Sequence, residues 1–271
     1  MELLIESKVP QSSSVEVAGV RIGSDESLAV IAGPCSVESL EQFRETALSV
    51  QAAGARLLRG GAFKPRTSPY SFQGLGERGL EIMREVGDEL GMGVVTEAMT
   101  AEDVPLVAKF ADMVQIGARN MSNMSLLESA ASSGRPILLK RGITATIDEV
   151  LEVADHLQSS GASQIAICER GSRTFEPSTR NSLDIAAIPE IKLRSGLPVV
   201  ADPSHGTGRR DLVTPISLAA IAAGADALIV EVHPDPAAAL SDGPQSLEAG
   251  HFSDFMLAVR SMAAAVRGER R

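Results

Sequence analysis

Three side chains able to bind a metal stand just past short apolar runs: Cys35 after residues 28–32, His205 after 198–201 and Glu231 after 227–230. A thiolate, an imidazole and a carboxylate together suit a borderline divalent ion such as Mn²⁺, Fe²⁺, Co²⁺ or Zn²⁺, and the thiolate disfavours Mg²⁺. Taken singly each has a plainer reading, Cys as a small core hydrophobe and His as a hydrogen-bonded structural residue. His233 lies two residues beyond Glu231 and competes as a ligand. Asp242, in Ser241-Asp242-Gly243-Pro244, offers a further oxygen, although nothing in its spacing requires it. Six cations follow apolar runs in the same way: Arg59, Lys64, Arg66, Arg119, Lys140 and Arg170. One such cation pairs with an acid as often as not, but six brought to one rim repel one another unless anions sit among them.

The elements that must position these groups repeat. Apolar, β-branched runs at 28–32, 55–59, 93–97, 112–116, 136–140, 164–168, 198–201 and 227–230 each precede a polar loop, and most loops lead into a stretch of helical periodicity. Near-continuous apolarity suits parallel strands covered on both faces. Eight βα units predict a single (β/α)8 TIM barrel, an α/β fold whose functional residues lie past the C-terminal ends of the strands. An open doubly wound sheet is the competing architecture, because periodicity does not show closure. Helices are expected over 38–53, 77–90, 101–110, 124–133, 147–159 and 215–223, with Thr146 as a cap and Gly54, Gly134, Gly161 and Gly224 past helix ends. A last helix places Phe252, Phe255, Val259, Met262 and Val266 on one core-facing stripe. Residues 15–22 alternate around Ala18-Gly19 as a β-hairpin does, and are expected to close the barrel bottom. The expected division is an N-terminal extension over 1–27 and a catalytic barrel over 28–271.

Composition excludes several classes. A net charge of −10 and 3% aromatic residues oppose nucleic-acid binding. No apolar run is long enough to span a bilayer, and the N-terminus has no basic start before an apolar stretch, so a cytoplasmic protein with no membrane partner is expected. The two cysteines are too few for a disulfide framework. His156 and His251 read as surface residues and Cys168 as strand packing. There is no Walker loop and no dinucleotide fingerprint after a strand, so no nucleotide cofactor is expected.

Four linked segments, in order, carry a resemblance: Gly33-Pro34-Cys35-Ser36, Lys64-Pro65-Arg66-Thr67, Gln115-Ile116-Gly117-Ala118-Arg119-Asn120 and Asp202-Pro203-Ser204-His205-Gly206-Thr207-Gly208. They closely resemble the 3-deoxy-D-arabino-heptulosonate 7-phosphate (DAHP) synthases, of the shorter type without long loop insertions. The resemblance implies metal-dependent condensation of phosphoenolpyruvate with erythrose 4-phosphate, the entry step of the shikimate pathway of aromatic amino-acid biosynthesis. It implies a metal held by Cys35, His205, Glu231 and Asp242, phosphoenolpyruvate bound by Arg59, Lys64, Arg119, Lys140 and Arg170, and the sugar phosphate held by Arg66 and Thr67. It also implies a homo-oligomer, with a tetramer favoured. Some members carry an N-terminal regulatory domain or a fused chorismate mutase, and residues 1–27 can be neither, so insensitivity to phenylalanine and tyrosine through such a domain is expected.

The chemistry asks for these parts independently. An enol carbon is a weak nucleophile, so the aldehyde needs a Lewis acid and the forming alkoxide needs a proton donor, for which Lys64 is the candidate. Water then adds to the carbon that bore the phosphate, and Glu97 with the metal-binding set, Cys35 and His205 included, are the candidates for handling it. The nearest alternative is the related octulosonate 8-phosphate synthase acting on arabinose 5-phosphate. Its second loop typically reads Lys-Ala-Asn-Arg, which favours the four-carbon sugar here. A non-catalytic barrel binding phosphorylated ligands is the third reading.

Overall fold

The computed structural model describes residues 13–23, 28–64 and 72–268. The expected hairpin forms from β1 (Val15–Val17) and β2 (Val20–Ile22), paired antiparallel with Val17 opposite Val20. Ala18 and Gly19 both take positive φ (48° and 75°), the turn whose twist matches a two-residue hairpin. Eight parallel strands follow: β3 (Ala29–Gly33), β4 (Leu57–Arg59), β5 (Gly93–Ala98), β6 (Met113–Ile116), β7 (Ile137–Lys140), β8 (Ile165–Glu169), β9 (Val199–Ala201) and β10 (Ala227–His233). The sheet closes because Ala227 of β10 lies opposite Ala29 of β3 on one side and opposite Val200 of β9 on the other. Closure decides for the barrel over the open sheet.

Strand alternation sorts the apolar residues into two cores. Ile31, Leu57, Val95, Met113, Leu138, Cys168, Val200 and Ile229 fill the barrel interior together with Val15, Val17 and Ile22 of the hairpin. Their neighbours, among them Val30, Leu58, Val94, Val114, Leu139, Ile167, Val199 and Leu228, face outward and pack against the helices. The hairpin therefore seals the interior at the foot of the strands, and Cys168 is fully buried packing, as expected.

The helices are α1 (Leu40–Ala52), α2 (Glu77–Leu90), α3 (Val104–Phe110), α4 (Met124–Ser132), α5 (Ile147–Ser159), α6 (Ala187–Ser195), α7 (Pro203–Thr207), α8 (Arg210–Ala222) and α9 (Phe252–Gly268). Thr146 caps α5 in a reciprocal box with Glu149, and Gly54, Gly134, Gly161 and Gly224 all take positive φ. The buried face of α9 includes Phe252, Phe255 and Val259, with the two rings stacked at 5.4 Å.

Several boundaries differ from the sequence reading. α6 is not among the helices named from the sequence; its Pro189, as the third residue of the helix, lacks only an N–H that has no partner in the first turn anyway. α8 begins at Arg210 rather than Pro215, and the exposed Pro215 is tolerated inside it. α7 occupies what reads as a loop, with Asp202 as its cap. β10 runs on to His233 and gains a short parallel neighbour, β11 (Leu247–Glu248). The expected division after residue 27 adjoins residues 24–27, which lie outside the described residues. No helix among the described residues is long and apolar enough to cross a membrane.

Candidate active site

Two residues beyond each barrel-filling side chain, the next one on the same face emerges at the C-terminal rim. Leu57 is followed in this way by Arg59, Val95 by Glu97, Met113 by Gln115, Leu138 by Lys140, Cys168 by Arg170, Val200 by Asp202 and Ile229 by Glu231. One period of two thus places apolar residues inside the barrel and polar residues at its mouth. Of these last side chains Arg59, Glu97, Gln115, Lys140 and Arg170, with residues from the loops, line a cavity of about 400 Å³.

Asp202 organises one side. It is almost fully buried, and its Oδ2 accepts from Lys140 Nζ at 2.6 Å and from His205 Nδ1 at 2.9 Å, while Oδ1 accepts the His205 backbone N–H at 3.0 Å. Burial opposes ionisation, but His205 and Lys140 outweigh it and hold the carboxyl well below its ordinary range. An ionised Asp202 favours the tautomer with a proton on His205 Nδ1, which leaves the lone pair on Nε2. Nε2 lies 3.4 Å from Glu231 Oε1. A lone pair facing a carboxylate calls for a proton or a cation between them.

Glu231 is 1% exposed, and Arg59 donates to its Oε1 at 2.8 Å while Gln245 Nε2 donates to its Oε2 at 2.8 Å. Burial raises its pKa, but His205 and Arg59 prevail and lower it. The backbone N–H of Glu231 is fixed by Ser204 Oγ of α7 at 3.0 Å. Cys35 enters from the loop after β3, which the buried hydroxyls of Ser36 and Ser241 join to the loop carrying Asp242. Its thiol donates to Asp242 Oδ2 at 3.2 Å and receives Lys64 Nζ at 3.0 Å. Burial, reinforced by Glu231, pushes the thiol up to about 11. Asp242 sits in the left-handed region (φ 49°), and despite burial its carboxyl is lowered by His205, Cys35 and Arg180.

The ligand atoms of Cys35, Glu231 and Asp242 lie within 4.8 Å of one another. His205 stands outside that mutual set and touches it through Glu231. One sulfur, one nitrogen and two carboxylates, with both carboxylates held ionised, fit a borderline divalent ion. His233 is engaged elsewhere: its Nδ1 accepts the Asp235 N–H at 3.1 Å and its Nε2 lies 3.4 Å from Glu38 Oε2.

Five of the six expected cations, Arg59, Lys64, Arg119, Lys140 and Arg170, line the cavity. Arg66 and Thr67 lie outside the described residues. Arg59 and Lys140 already have carboxylate partners, Glu231 and Asp202, so the plainer reading of a paired cation holds in part for these two. Among the described residues Arg59 nevertheless keeps a buried Nε without a partner. Arg170 is 6% exposed and donates only to Gly171 O at 3.4 Å among the described residues; burial lowers its pKa. Arg119 forms no ion pair among the described residues. Arg173 and Arg180, not expected from sequence, also face the cavity, giving seven cations against the two carboxylates of Glu97 and Asp242.

Two glycines make room here. A Cβ on Gly61 would sit 2.7 Å from Lys64 Nζ and 2.8 Å from Cys35 O, and one on Gly117 would sit 2.0 Å from Glu97 Oε1. Glu97 Oε2 is held by Gln115 Nε2 at 3.0 Å. His251 is exposed as expected, whereas His156 is half-buried, 3.7 Å from Glu128 Oε1.

The DAHP synthetase I family matches residues 6–267. The chain belongs to this family. The phospho-2-dehydro-3-deoxyheptonate aldolase of Thermotoga maritima is 53% identical over 95% of this chain and 76% of its own length. The crystal structure of a Thermotoga maritima protein of that name, also called DAHP synthase, superposes with a TM-score of 0.92 at 52% identity, covering 95% of this chain and 75% of that one. A truncated form of the 3-deoxy-D-arabino-heptulosonate 7-phosphate synthase from the same organism gives 0.88 at 48% identity, covering 95% and 94%. A 2-dehydro-3-deoxyphosphooctonate aldolase of Acidithiobacillus ferrooxidans is 30% identical over 94% of this chain and 96% of its own length.

The strand period of two brings Gln115 and Asp202 to the barrel mouth, but only closure of the sheet shows which phase of that period faces inward. Gln245 and Arg180 carry no such signal, since they reach the site only through loops that the closed barrel brings together.

Proposed function

We infer that the chain works as a DAHP synthase, a transferase joining phosphoenolpyruvate to erythrose 4-phosphate with water to give DAHP and inorganic phosphate. The observation that carries this is the junction of an S/N/O ligand cluster with a cation-lined cavity at one barrel mouth, in a chain 53% identical to a phospho-2-dehydro-3-deoxyheptonate aldolase. The octulosonate alternative rests on relatives at lower identity, such as the 30% one.

Cys35, His205, Glu231 and Asp242 would hold one divalent transition ion, Mn²⁺, Fe²⁺, Co²⁺ or Zn²⁺, which supplies Lewis-acid polarisation of the aldehyde. Arg119 and Arg170 receive the charge of phosphoenolpyruvate together with Lys140 and the unpartnered edge of Arg59, so that two anionic substrates can approach. Arg66 and Thr67 take the sugar phosphate. The enol carbon attacks the aldehyde carbon, and the oxygen left negative takes a proton from Lys64. Water adds to the cationic carbon that bore the phosphate, and Glu97, steadied by Gln115, takes its proton. The new hydroxyl oxygen then closes the product's C=O as the carbon–oxygen bond to phosphate breaks; inorganic phosphate leaves with both bonding electrons and takes up the hydroxyl proton. No nucleotide enters the balance.

Two buried free cysteines suit a reducing compartment, and the cytoplasm is the location assigned. A homo-oligomer, with the tetramer favoured, is part of the same reading. The test is competition between sugars. Metal-supplied protein should consume phosphoenolpyruvate faster with erythrose 4-phosphate than with arabinose 5-phosphate; the reverse order would assign the octulosonate reaction, and no turnover with either would leave only a binding protein.

A further inference from the structure

The two carboxylates of the ligand cluster are joined from outside by a bridge of two residues. One guanidinium nitrogen of Arg180 donates to Asp242 Oδ1 at 3.2 Å and to Gln245 Oε1 at 3.1 Å. Gln245 Nε2 passes the link on to Glu231 Oε2 at 2.8 Å. The amide is 2% exposed, and its two ends are fixed by chemistry, oxygen toward the cation and nitrogen toward the carboxylate. The other oxygen of each carboxylate faces the cluster: Asp242 Oδ2 meets Cys35 Sγ, and Glu231 Oε1 meets His205 Nε2. Asp242 also takes a left-handed backbone, a conformation that Asp tolerates better than most residues.

We propose that Arg180 and Gln245 are positioning residues that set the separation of Glu231 and Asp242 and turn one oxygen of each toward a divalent cation. The proposal rests on the metal reading above. The fold itself has little use for the bridge. The Arg180 side chain is 48% exposed, where an ion pair adds little to stability, and its backbone is anchored separately by an N–H bond to Thr207 O at 2.9 Å. Losing Arg180 frees Asp242 Oδ1 and lets the Gln245 amide turn. Losing the Gln245 amide leaves Glu231 Oε2 without its directional donor.

The test is Co²⁺ titration of the chelator-stripped protein, reading both affinity and the visible absorption of the bound ion. Arg180→Ala and Gln245→Leu should each weaken binding about 10–100-fold, the usual effect of removing a partner of a ligating side chain, and should alter the absorption. The metal-free melting temperature of Arg180→Ala should stay within about 4 °C of the parent's. Arg180→Lys, which keeps the charge and a donor, should recover part of the affinity. Parent protein that binds no Co²⁺ overturns the metal reading and this proposal together. Parent protein that binds it, with both variants equal to the parent in affinity and spectrum, overturns the bridge alone. If Gln245→Leu fails to fold, the half-exposed Arg180→Ala decides by itself.

Discussion

Asp202 does the most at the residue scale, because one buried carboxylate pairs with Lys140, orients the ring of His205 and caps the first turn of α7. Replacing it by Asn leaves Lys140 buried without its counter-charge, a class of change costing about 3–5 kcal/mol. The pH dependence has a definite sign. The folded carboxyl lies well below its ordinary value of 3.8, so its stabilisation is fully present above that pH and is lost as pH falls through the folded value. In denaturant titrations of metal-free protein, the gap between parent and Asp202→Asn should be constant from pH 7 to about 5 and shrink below 3.8; a gap that grows on acidification would remove Asp202 from this role. Glu97 is testable through its neighbour. Gly117→Ala would place a methyl 2.0 Å from Glu97 Oε1 and drive the carboxylate out of position. Turnover should fall as it does for Glu97→Gln, with the circular-dichroism spectrum unchanged. Full turnover by both variants would take water handling away from Glu97.

Elements deliver these residues with different degrees of legibility. The eight strands are legible because burial on both faces demands unbroken apolar runs, and Arg59, Glu97, Lys140 and Glu231 follow as the polar residues ending them. Which residues face inward was not legible, since a strand buried on both sides carries no polar alternation; closure alone sorts Leu57 and Arg59 to one face and Leu58 to the other. Helix starts were legible where a side chain makes the cap. Thr146 is the clearest case, bonding the Glu149 N–H at 3.1 Å while Glu149 bonds back to the Thr146 N–H at 2.7 Å. Thr146→Ala should therefore cost about 1 kcal/mol of stability without touching turnover, measured by chemical denaturation and steady-state rate. A loss of activity beyond the loss of folded protein would tie α5 to the site. α6 and α8 both contain a proline, Pro189 in a first turn and Pro215 on an exposed face, where neither ends the helix. The metal cluster was only half legible. Cys35 and Glu231 lie at or just past the ends of apolar runs, whereas Asp242 and its partners Gln245 and Arg180 come from loops with no periodicity to mark them.

At the scale of the molecule, a chain of net charge −10 concentrates seven cations around one cavity and three anion-forming ligands beside it. Those two features have little reason to adjoin unless one reaction uses both. The cation wall suits two phosphorylated substrates, and the ligand cluster suits activation of a carbonyl between them. Size-exclusion chromatography with light scattering would settle the assembly, for which four copies are expected and a monomer at assay concentration would contradict the expectation. The central claim is that metal and cation wall act on the same substrates. The measurement is phosphate release from phosphoenolpyruvate and erythrose 4-phosphate by chelator-stripped protein, before and after single transition metals are restored, with Cys35→Ser alongside. Release should cease on stripping and return with the metal in the parent but not in the variant, whose fold should be intact. Undiminished release by stripped protein, or by Cys35→Ser at the same metal concentration, would contradict it.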